Sequence, residues 1–280
     1  MKHLAPTTVA LIALLLSAPS LYAADAPALP AGEQEARARL NASPRHGEFA
    51  KIDVAGMPAK LNAYVVYPER KDKAPVVIVI QEIFGLSDWI RGVADQLAAE
   101  GFIAIAPDLL SGKGPNGGGT EAFADRQAVM TAVRDLKNDD VKKMLDATRD
   151  YGLKLPAASG KSACIGFCWG GGTSFRYASE QPDLNAAVVY YGTSPNEQAL
   201  EKIKCPVDGH YGGNDNRVNA TIKPAETKMK ELGKPYTPHI HDGAGHGFLR
   251  QTEGDRNAGN KKAAEEAWPE TVNFLKENTK

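Results

Sequence analysis

Continuous apolar runs recur along the chain and end in polar or glycine-rich residues. Runs of this kind predict strands that are buried on both faces, as in a mostly parallel sheet. The stretch "KLNAYVVYP" (60–68) predicts one strand of an N-terminal hairpin, and later runs predict the remaining strands. These are "APVVIVIQEIFG" (74–85), "FIAIAPD" (102–108), "KSACIGFC" (161–168), "LNAAVVYYG" (184–192), "CPVDGHYGGND" (205–215) and "YTPHIHDGAGHGF" (236–248).

Segments with helical periodicity lie between these runs. They cover residues 88–101, 126–152 with a break near Asn138, 170–180, 223–233 and 261–279, and residues 109–127 form a glycine-rich excursion. The alternation of strands and helices predicts a single α/β domain with a mostly parallel, twisted sheet and helices on both faces. No internal repeat or second-domain boundary is visible.

The N-terminus has the pattern of a secretory signal peptide. A short charged start is followed by "TTVALIALLLSAPSLYA", an apolar run that ends in small residues. We predict a signal peptide at 1–23, cleaved after Ala23 or alternatively after Ala24, and a periplasmic or secreted protein. An uncleaved membrane anchor is the alternative. Residues 24–47 then predict a polar lead-in segment with at most a short helix, before a domain at 48–280.

Charge and cysteine content narrow the function classes. The chain has 33 basic and 34 acidic residues, a formal net charge of −1, which gives no electrostatic reason to expect nucleic acid or an anionic membrane as a partner. Three cysteines leave at least one thiol free in an oxidising compartment. We expect a monomer that acts on a small molecule.

The stretch "ACIGFCWGGG" (163–172) places Cys168 between Gly166 and Gly170. A nucleophile at a sharp strand-to-helix turn needs small residues two positions away on each side, because the turn crowds the backbone there. The sequence therefore predicts a nucleophile elbow with cysteine in the usual place of serine. The helix N-terminus that follows is expected to lower the thiol pKa. A buried structural cysteine is the alternative, and it suits Cys164 better.

An elbow nucleophile needs a base and an acid further along the chain. His246 lies in the glycine-rich loop "DGAGHGF", and Asp215 follows the apolar part of "CPVDGHYGGND". These residue types predict a Cys-His-Asp triad in which His246 accepts the thiol proton and Asp215 orients the imidazole. Asp215 could instead be an ordinary turn or helix-cap aspartate.

The motifs together resemble the dienelactone hydrolase (carboxymethylenebutenolidase) family of α/β-hydrolases. The shared stretches are "VIVIQEIFG", "APDLL", "IGFCWGG", "VVYYG", "GGND" and "GAGHGFLR". The resemblance implies that Cys168, Asp215 and His246 are the triad and that Glu82 pairs with the resting thiol. It implies an oxyanion hole from the backbone N–H groups of Ile83 and Trp169. It also implies a substrate carboxylate bound by Arg250, with Arg126 as its companion.

The residues and the resemblance together predict hydrolysis of a carboxylate-bearing lactone or activated ester through a thioester acyl-enzyme. A general carboxylesterase or thioesterase on the same triad is the first alternative, and a non-hydrolytic thiol or redox protein is the second. No cofactor is expected. A metal site at His239 and His241, which share one face of a strand, lacks further ligands in sequence. A carboxylate at Glu82, after a buried strand, needs a partner or a function. If it faces Cys168, it should keep the thiol neutral at rest, because two acidic groups in one site resist ionising together.

Overall fold

The computed structural model describes Met1, residues 27–254 and residues 258–280. The predicted signal peptide lies outside the described residues, apart from Met1. Within the described residues no helix is both long and apolar enough to cross a membrane.

The core of the fold is one eight-stranded sheet with strand order β1-β2-β4-β3-β5-β6-β7-β8. β1 and β2 form the antiparallel hairpin that the sequence predicts, and β2 pairs antiparallel to β4. The six strands from β3 to β8 run parallel to one another. The strands are β1 (Gly47–Ile52), β2 (Leu61–Val66), β3 (Ala74–Ile80), β4 (Ile103–Pro107), β5 (Ala158–Phe167), β6 (Ala186–Tyr190), β7 (Val207–Gly212) and β8 (Tyr236–His241).

Helices connect the strands, and the break predicted near Asn138 separates α3 from α4. The lead-in segment contains one short helix, α1, which agrees with the prediction of at most a short helix there. Two four-residue helices, α6 and α7, were not predicted. The helices are α1 (Ala36–Asn41), α2 (Asp88–Ala99), α3 (Arg126–Arg134), α4 (Asn138–Lys154), α5 (Trp169–Glu180), α6 (Glu197–Leu200), α7 (Asn216–Asn219), α8 (Ile222–Glu231) and α9 (Ala258–Asn278).

Both faces of the sheet are covered. Residues of α2 and α9, such as Trp89 and Trp268, pack on one face, and residues of α4, α5 and α8, such as Met144 and Phe175, pack on the other. Central strands such as β4 are therefore buried along their whole length, which explains their unbroken apolar sequences. The prediction of a single α/β domain with a mostly parallel sheet is confirmed.

Candidate active site

Cys168 occupies a strained turn between β5 and α5, as the elbow motif predicts. Its backbone has φ 57° and ψ −117°, a region that L-residues rarely adopt. A Cβ atom at Gly166 would lie 1.9 Å from the carbonyl oxygen of Gly170, and one at Gly170 would lie 2.2 Å from the carbonyl oxygen of Gln81. Both positions therefore require glycine, because the elbow brings backbone against backbone.

The structure brings the three predicted triad residues together. His246 Nε2 lies 3.1 Å from Cys168 Sγ, and His246 Nδ1 lies 2.5 Å from Asp215 Oδ2. Asp215 also caps α7, with Oδ1 accepting from the Val218 N–H at 3.4 Å. The ordinary helix-cap interpretation of Asp215 is thus true of one carboxylate oxygen, while the other contacts the imidazole.

The backbone N–H groups of Ile83 and Trp169 lie close enough to the Cys168 sulfur to favour its thiolate form and so to lower its pKa. Ile83 follows the C-terminal end of β3, and Trp169 is the first residue of α5. Two donors that converge on the nucleophile from different elements are suitably placed for an oxyanion that forms on the attacked carbonyl. The structure therefore positions both predicted oxyanion-hole donors beside the thiol.

The sequence expectation of a lowered thiol pKa is wrong for this geometry. Burial and then the charge of Glu82 raise the pKa of Cys168 to about 11, and the hydrogen bonds from Trp169 and Ile83 and the charge of Arg217 only partly oppose this rise. The thiol is consequently neutral at rest near pH 7.

Glu82 is buried, but its ion-pair partner is Arg250 rather than the thiol. Glu82 Oε2 lies 2.7 Å from Arg250 Nε, while Cys168 Sγ faces His246. Burial raises the pKa of Glu82 to about 7, since it outweighs the attraction of Arg250. The partner that a buried carboxylate requires is present, but the pairing with the thiol implied by the resemblance is not formed in this structure.

The two predicted substrate-binding arginines meet at a residue of the lead-in segment. Glu33 pairs with Arg250, and its other carboxylate oxygen lies 3.0 Å from Arg126 Nη2. The Arg126 guanidinium lies 3.6 Å from the ring centroid of Phe84, and that of Arg250 lies 5.1 Å from it. Arg126 and Arg250 are therefore neighbours, as the resemblance implies, but an internal carboxylate already bridges them.

A cavity of about 660 Å³ opens on Cys168 and His246. Apolar and aromatic side chains line part of it, including those of Ile83, Phe84 and Tyr191. The cavity is also lined by three arginines that sequence reasoning did not select, namely Arg134, Arg176 and Arg217. Arg126 and Arg250 are not among its lining residues. Such a cavity is large enough for a small ester or lactone.

Two of the missed arginines had a signal in the sequence. Arg217 comes two residues after Asp215, on α7, and Arg176 lies about two helical turns after Trp169 on α5. Their short sequence separation from Asp215 and Trp169, two predicted site residues, could have identified them as candidates. Glu33 had no such signal, because only the folded lead-in brings it to Arg126 and Arg250.

The glycine-rich excursion braces the loop after β3. Asp108 accepts hydrogen bonds from the backbone N–H of Thr120 at 2.7 Å and from its hydroxyl at 2.6 Å. The Thr120 hydroxyl oxygen in turn accepts from the backbone N–H of Leu86 at 3.0 Å. This chain of bonds holds the segment that carries Ile83.

The histidines of β7 and β8 form a polar cluster apart from the triad residues. Asp208 accepts from His210 at 2.9 Å and from His239 at 3.0 Å, and His210 Nδ1 lies 3.3 Å from His241 Nε2. The pKa of Asp208 falls to about 2, because its bonds to the two histidines outweigh its burial. Within the described part of the chain, no group of three or more potential ligands is arranged to hold a metal ion.

Comparison with known proteins agrees with this fold. The model of the dienelactone hydrolase family matches residues 61–279. A carboxymethylenebutenolidase of Pseudomonas sp. strain P51 is 34% identical over 210 residues, covering 72% of this chain and 85% of that protein. The crystal structure of a "Putative Dienelactone Hydrolase" from Klebsiella pneumoniae subsp. pneumoniae MGH 78578 superposes with a TM-score of 0.72 at 25% identity, covering 83% of this chain and 98% of that one.

The family match spans most of the chain, and the relative and the solved structure agree on the class of reaction. The family predicted from the motifs is therefore confirmed. This chain is an ester or lactone hydrolase with the α/β-hydrolase fold, and it belongs to the dienelactone hydrolase family.

Proposed function

We propose that this hydrolase is exported and cleaves a carboxylate-bearing lactone or activated ester with Cys168 as the nucleophile. The observation that carries the proposed chemistry is the continuous contact from Cys168 Sγ through His246 to Asp215, at 3.1 and 2.5 Å. These three residues lie at the carboxyl ends of the parallel strands, where open α/β folds bind ligands.

The reaction follows from the positions of these groups. His246 Nε2 takes the proton from Cys168 Sγ as the sulfur attacks the carbonyl carbon, and the oxyanion accepts from the N–H groups of Ile83 and Trp169. His246 then donates that proton to the leaving oxygen, which leaves a thioester on Cys168. Water, deprotonated by His246, cleaves the thioester and returns the thiol. Each oxyanion donor of this kind is typically worth about 3–4 kcal/mol.

The high resting pKa of Cys168 supports this order of events. A neutral thiol resists oxidation, which would matter in an exported protein. Since the thiolate is formed by His246 as attack begins, the nucleophile stays protected between turnovers. Glu82 contributes through its charge, which raises the thiol pKa.

The acyl-enzyme provides the direct test. Wild type is mixed with excess 4-nitrophenyl acetate and quenched in acid within milliseconds, and intact mass is measured. We expect one added acetyl group, located on Cys168 by peptide mapping, and none in Cys168→Ala. An acetyl group on another residue, or full turnover by Cys168→Ala, would refute the thiol mechanism.

A panel of neutral esters, acyl thioesters and carboxylate-bearing lactones separates the alternative functions. A general carboxylesterase or thioesterase would turn over neutral esters or acyl thioesters at least as fast as carboxylate-bearing lactones. A non-hydrolytic thiol protein would react with iodoacetamide but release no product from any ester. The paired His246 and Asp215 favour hydrolysis, because a redox thiol does not need them.

Export is proposed from the apolar run at residues 7–23 alone. The intact mass of protein from the periplasmic fraction should correspond to a chain that begins at Ala24 or Asp25. Full-length chain found solely in the cytoplasm would contradict export. The monomeric state also stays a prediction, and light scattering of the mature protein would test it.

Binding of a substrate carboxylate by Arg126 and Arg250 would require a change in the contacts that the two side chains make. A substrate carboxylate could bind this pair only after displacing Glu33, which contacts both guanidinium groups. Arg250 also holds Glu82. We therefore keep carboxylate binding by Arg126 and Arg250 as a prediction.

A further inference from the structure

We propose that Glu33 of the lead-in segment is a built-in competitor of the substrate's acidic group, and that it sets how strongly this enzyme selects anionic esters. The inference rests on the proposed function, because it takes Arg126 and Arg250 as the pair that would bind a substrate carboxylate. In this structure the Glu33 side chain makes the contacts that such a carboxylate would make.

The first observation is the way in which Glu33 contacts the two arginines. One carboxylate oxygen lies 3.0 Å from Arg126 Nη2, and the other accepts a hydrogen bond from Arg250 Nη1. Arginines bind an acidic ligand through charge-assisted bonds of this kind, which are stronger than bonds between neutral groups. Because both oxygens of Glu33 are engaged, a substrate carboxylate cannot make the same two contacts while Glu33 is in place.

The second observation is the position of the arginine pair beside the reacting groups. Phe84 lines the cavity that opens on Cys168, and the Arg126 guanidinium lies 3.6 Å from the Phe84 ring centroid. Arg250 Nε forms an ion pair with Glu82, whose charge acts on the Cys168 thiol. With the lead-in carboxylate in place, the Arg250 side chain is only 12% exposed. The lead-in segment thus covers a charged group that adjoins the nucleophile.

The third observation is that the backbone at Glu33 is anchored while the side chain is not enclosed. The Glu33 N–H donates to the carbonyl oxygen of Arg250 at 2.9 Å, and Ala36 at the start of α1 is buried. Beyond α1, Arg45 pairs with Asp95 of α2. The Glu33 side chain itself is 38% exposed, so its rotation can free the arginines while the segment stays bound. A group tethered in this way competes at a high effective concentration.

Competition of this kind changes selectivity more than overall rate. A substrate carboxylate binds only those molecules in which Glu33 has turned away, and its apparent affinity is reduced by that fraction. A pair that is free for about a tenth of the time binds an anion about tenfold more weakly than a pair that is always free. A neutral ester does not need the arginines, so Glu33 does not reduce its kcat/KM in this way.

Two chromogenic esters of similar length measure the selectivity. One is the mono-4-nitrophenyl ester of glutaric acid, which keeps a free carboxylate, and the other is 4-nitrophenyl pentanoate, which is neutral. The quantity compared is the ratio of their kcat/KM values, in which the fraction of folded enzyme and any equal effect on both reactions cancel. Glu33→Gln should raise the ratio of anionic to neutral ester about tenfold, mainly through a lower KM for the anionic ester.

Glu35→Gln is the matched control. It removes the same charge two residues further along the lead-in segment, at an exposed position, where salt screens the charge, so the ratio should stay within about twofold of wild type. A ratio that rises no more in Glu33→Gln than in Glu35→Gln overturns the proposal. Glu33 would then act only as one more negative charge or as an anchor of the segment.

A second comparison tests whether Glu33 acts through the arginine pair. Arg126 is half-exposed, so Arg126→Gln should preserve the fold. Adding Glu33→Gln to Arg126→Gln should raise the ratio less than Glu33→Gln does in wild type, because contacting residues are coupled. An equal increase in the two backgrounds overturns the proposal, since Glu33 would then affect selectivity by another route.

Binding of glutarate needs no hydrolysis and separates this proposal from the catalytic one. By titration calorimetry, Glu33→Gln should bind glutarate about tenfold more tightly than wild type, and Glu35→Gln should match wild type. If this result is found and no acyl group forms on Cys168, only the thiol mechanism fails. Glutarate binding that is equal in wild type and Glu33→Gln, or absent from both, overturns the role of Glu33 even if Cys168 is acylated.

Discussion

Two cysteines four residues apart on the same polypeptide stretch have opposite chemical surroundings. Cys164 is fully buried within β5, with its sulfur 3.2 Å from the Ser174 hydroxyl, and Cys168 stands at the end of that strand, 3.1 Å from His246. Burial raises the pKa of both thiols. A raised pKa therefore does not single out Cys168 as the proposed nucleophile. What sets Cys168 apart is its contact with His246 and the nearby N–H groups of Ile83 and Trp169.

The largest expected effect is on catalysis by Cys168. Cys168→Ala should lower kcat/KM for 4-nitrophenyl acetate by at least about 10³-fold, because removing one member of a triad disables the whole unit. Cys205→Ala, which removes a buried thiol away from the elbow, should stay within threefold of wild type. Activity of Cys168→Ala within tenfold of wild type would contradict the assignment of the nucleophile.

The next effect concerns the glycine that lets the strand end in a reactive thiol. Gly166→Ala forces a methyl group against the carbonyl oxygen of Gly170, so it should reduce the free energy of unfolding by about 1–3 kcal/mol and lower kcat more than tenfold. Urea unfolding and ester kinetics would measure both. Gly92→Ala on α2 is the matched control, since a Cβ there has no atom within 4 Å. Equal results for the two variants would show that the elbow tolerates a side chain.

A smaller effect is expected on the reactivity of the Cys168 thiol when the nearby charge of Glu82 is removed. Glu82→Gln removes the charge that helps to raise the pKa of Cys168, so the thiolate fraction at pH 8 rises. Iodoacetamide should then modify Cys168 several-fold faster, with Cys164 in the same digest as the unreactive reference. Glu69→Gln, at an exposed position, should change nothing. A rate unchanged by Glu82→Gln would mean that burial alone sets the thiol pKa.

Glu82 should also make stability depend on pH. Its pKa in the folded chain, about 7, is above the ordinary value of 4.5, so the folded state binds the proton more tightly than the unfolded state. The associated stability is present below about pH 4.5 and is lost as the pH rises to about 7. The free energy of unfolding of wild type should therefore fall relative to that of Glu82→Gln across this interval. A constant difference between the two proteins would argue against a raised pKa.

The smallest effect is expected at Cys164. Cys164→Ala removes one buried sulfur, which should cost about 1 kcal/mol of unfolding free energy as other small core truncations do, and kcat/KM should stay within threefold. Thermal unfolding and ester kinetics on the same preparation would check both. A loss of activity similar to that of Cys168→Ala would mean that the two thiols act together.

The elbow shows why part of the site could be predicted. Gly166, Cys168 and Gly170 are close in sequence, and the steric demand of the turn acts on those same residues. Asp215 and His246 were identifiable because each follows a predicted strand, and parallel strands present their carboxyl ends at one edge of the sheet. The contact of Glu82 with Arg250 was not predictable in this way, because the pairing depends on which of several neighbouring charges lies nearer.

The sequence by itself determined the order of strands and helices, the elbow and its thiol, and the family. These features depend on local backbone sterics and on apolar periodicity, which short stretches carry. Only the tertiary structure decided which arginines line the cavity with Cys168 and which are paired with Glu33 and Glu82. Electrostatic partners come from distant parts of the chain, and their distances exist only after the lead-in, α3, α5 and α7 have packed around one edge of the sheet.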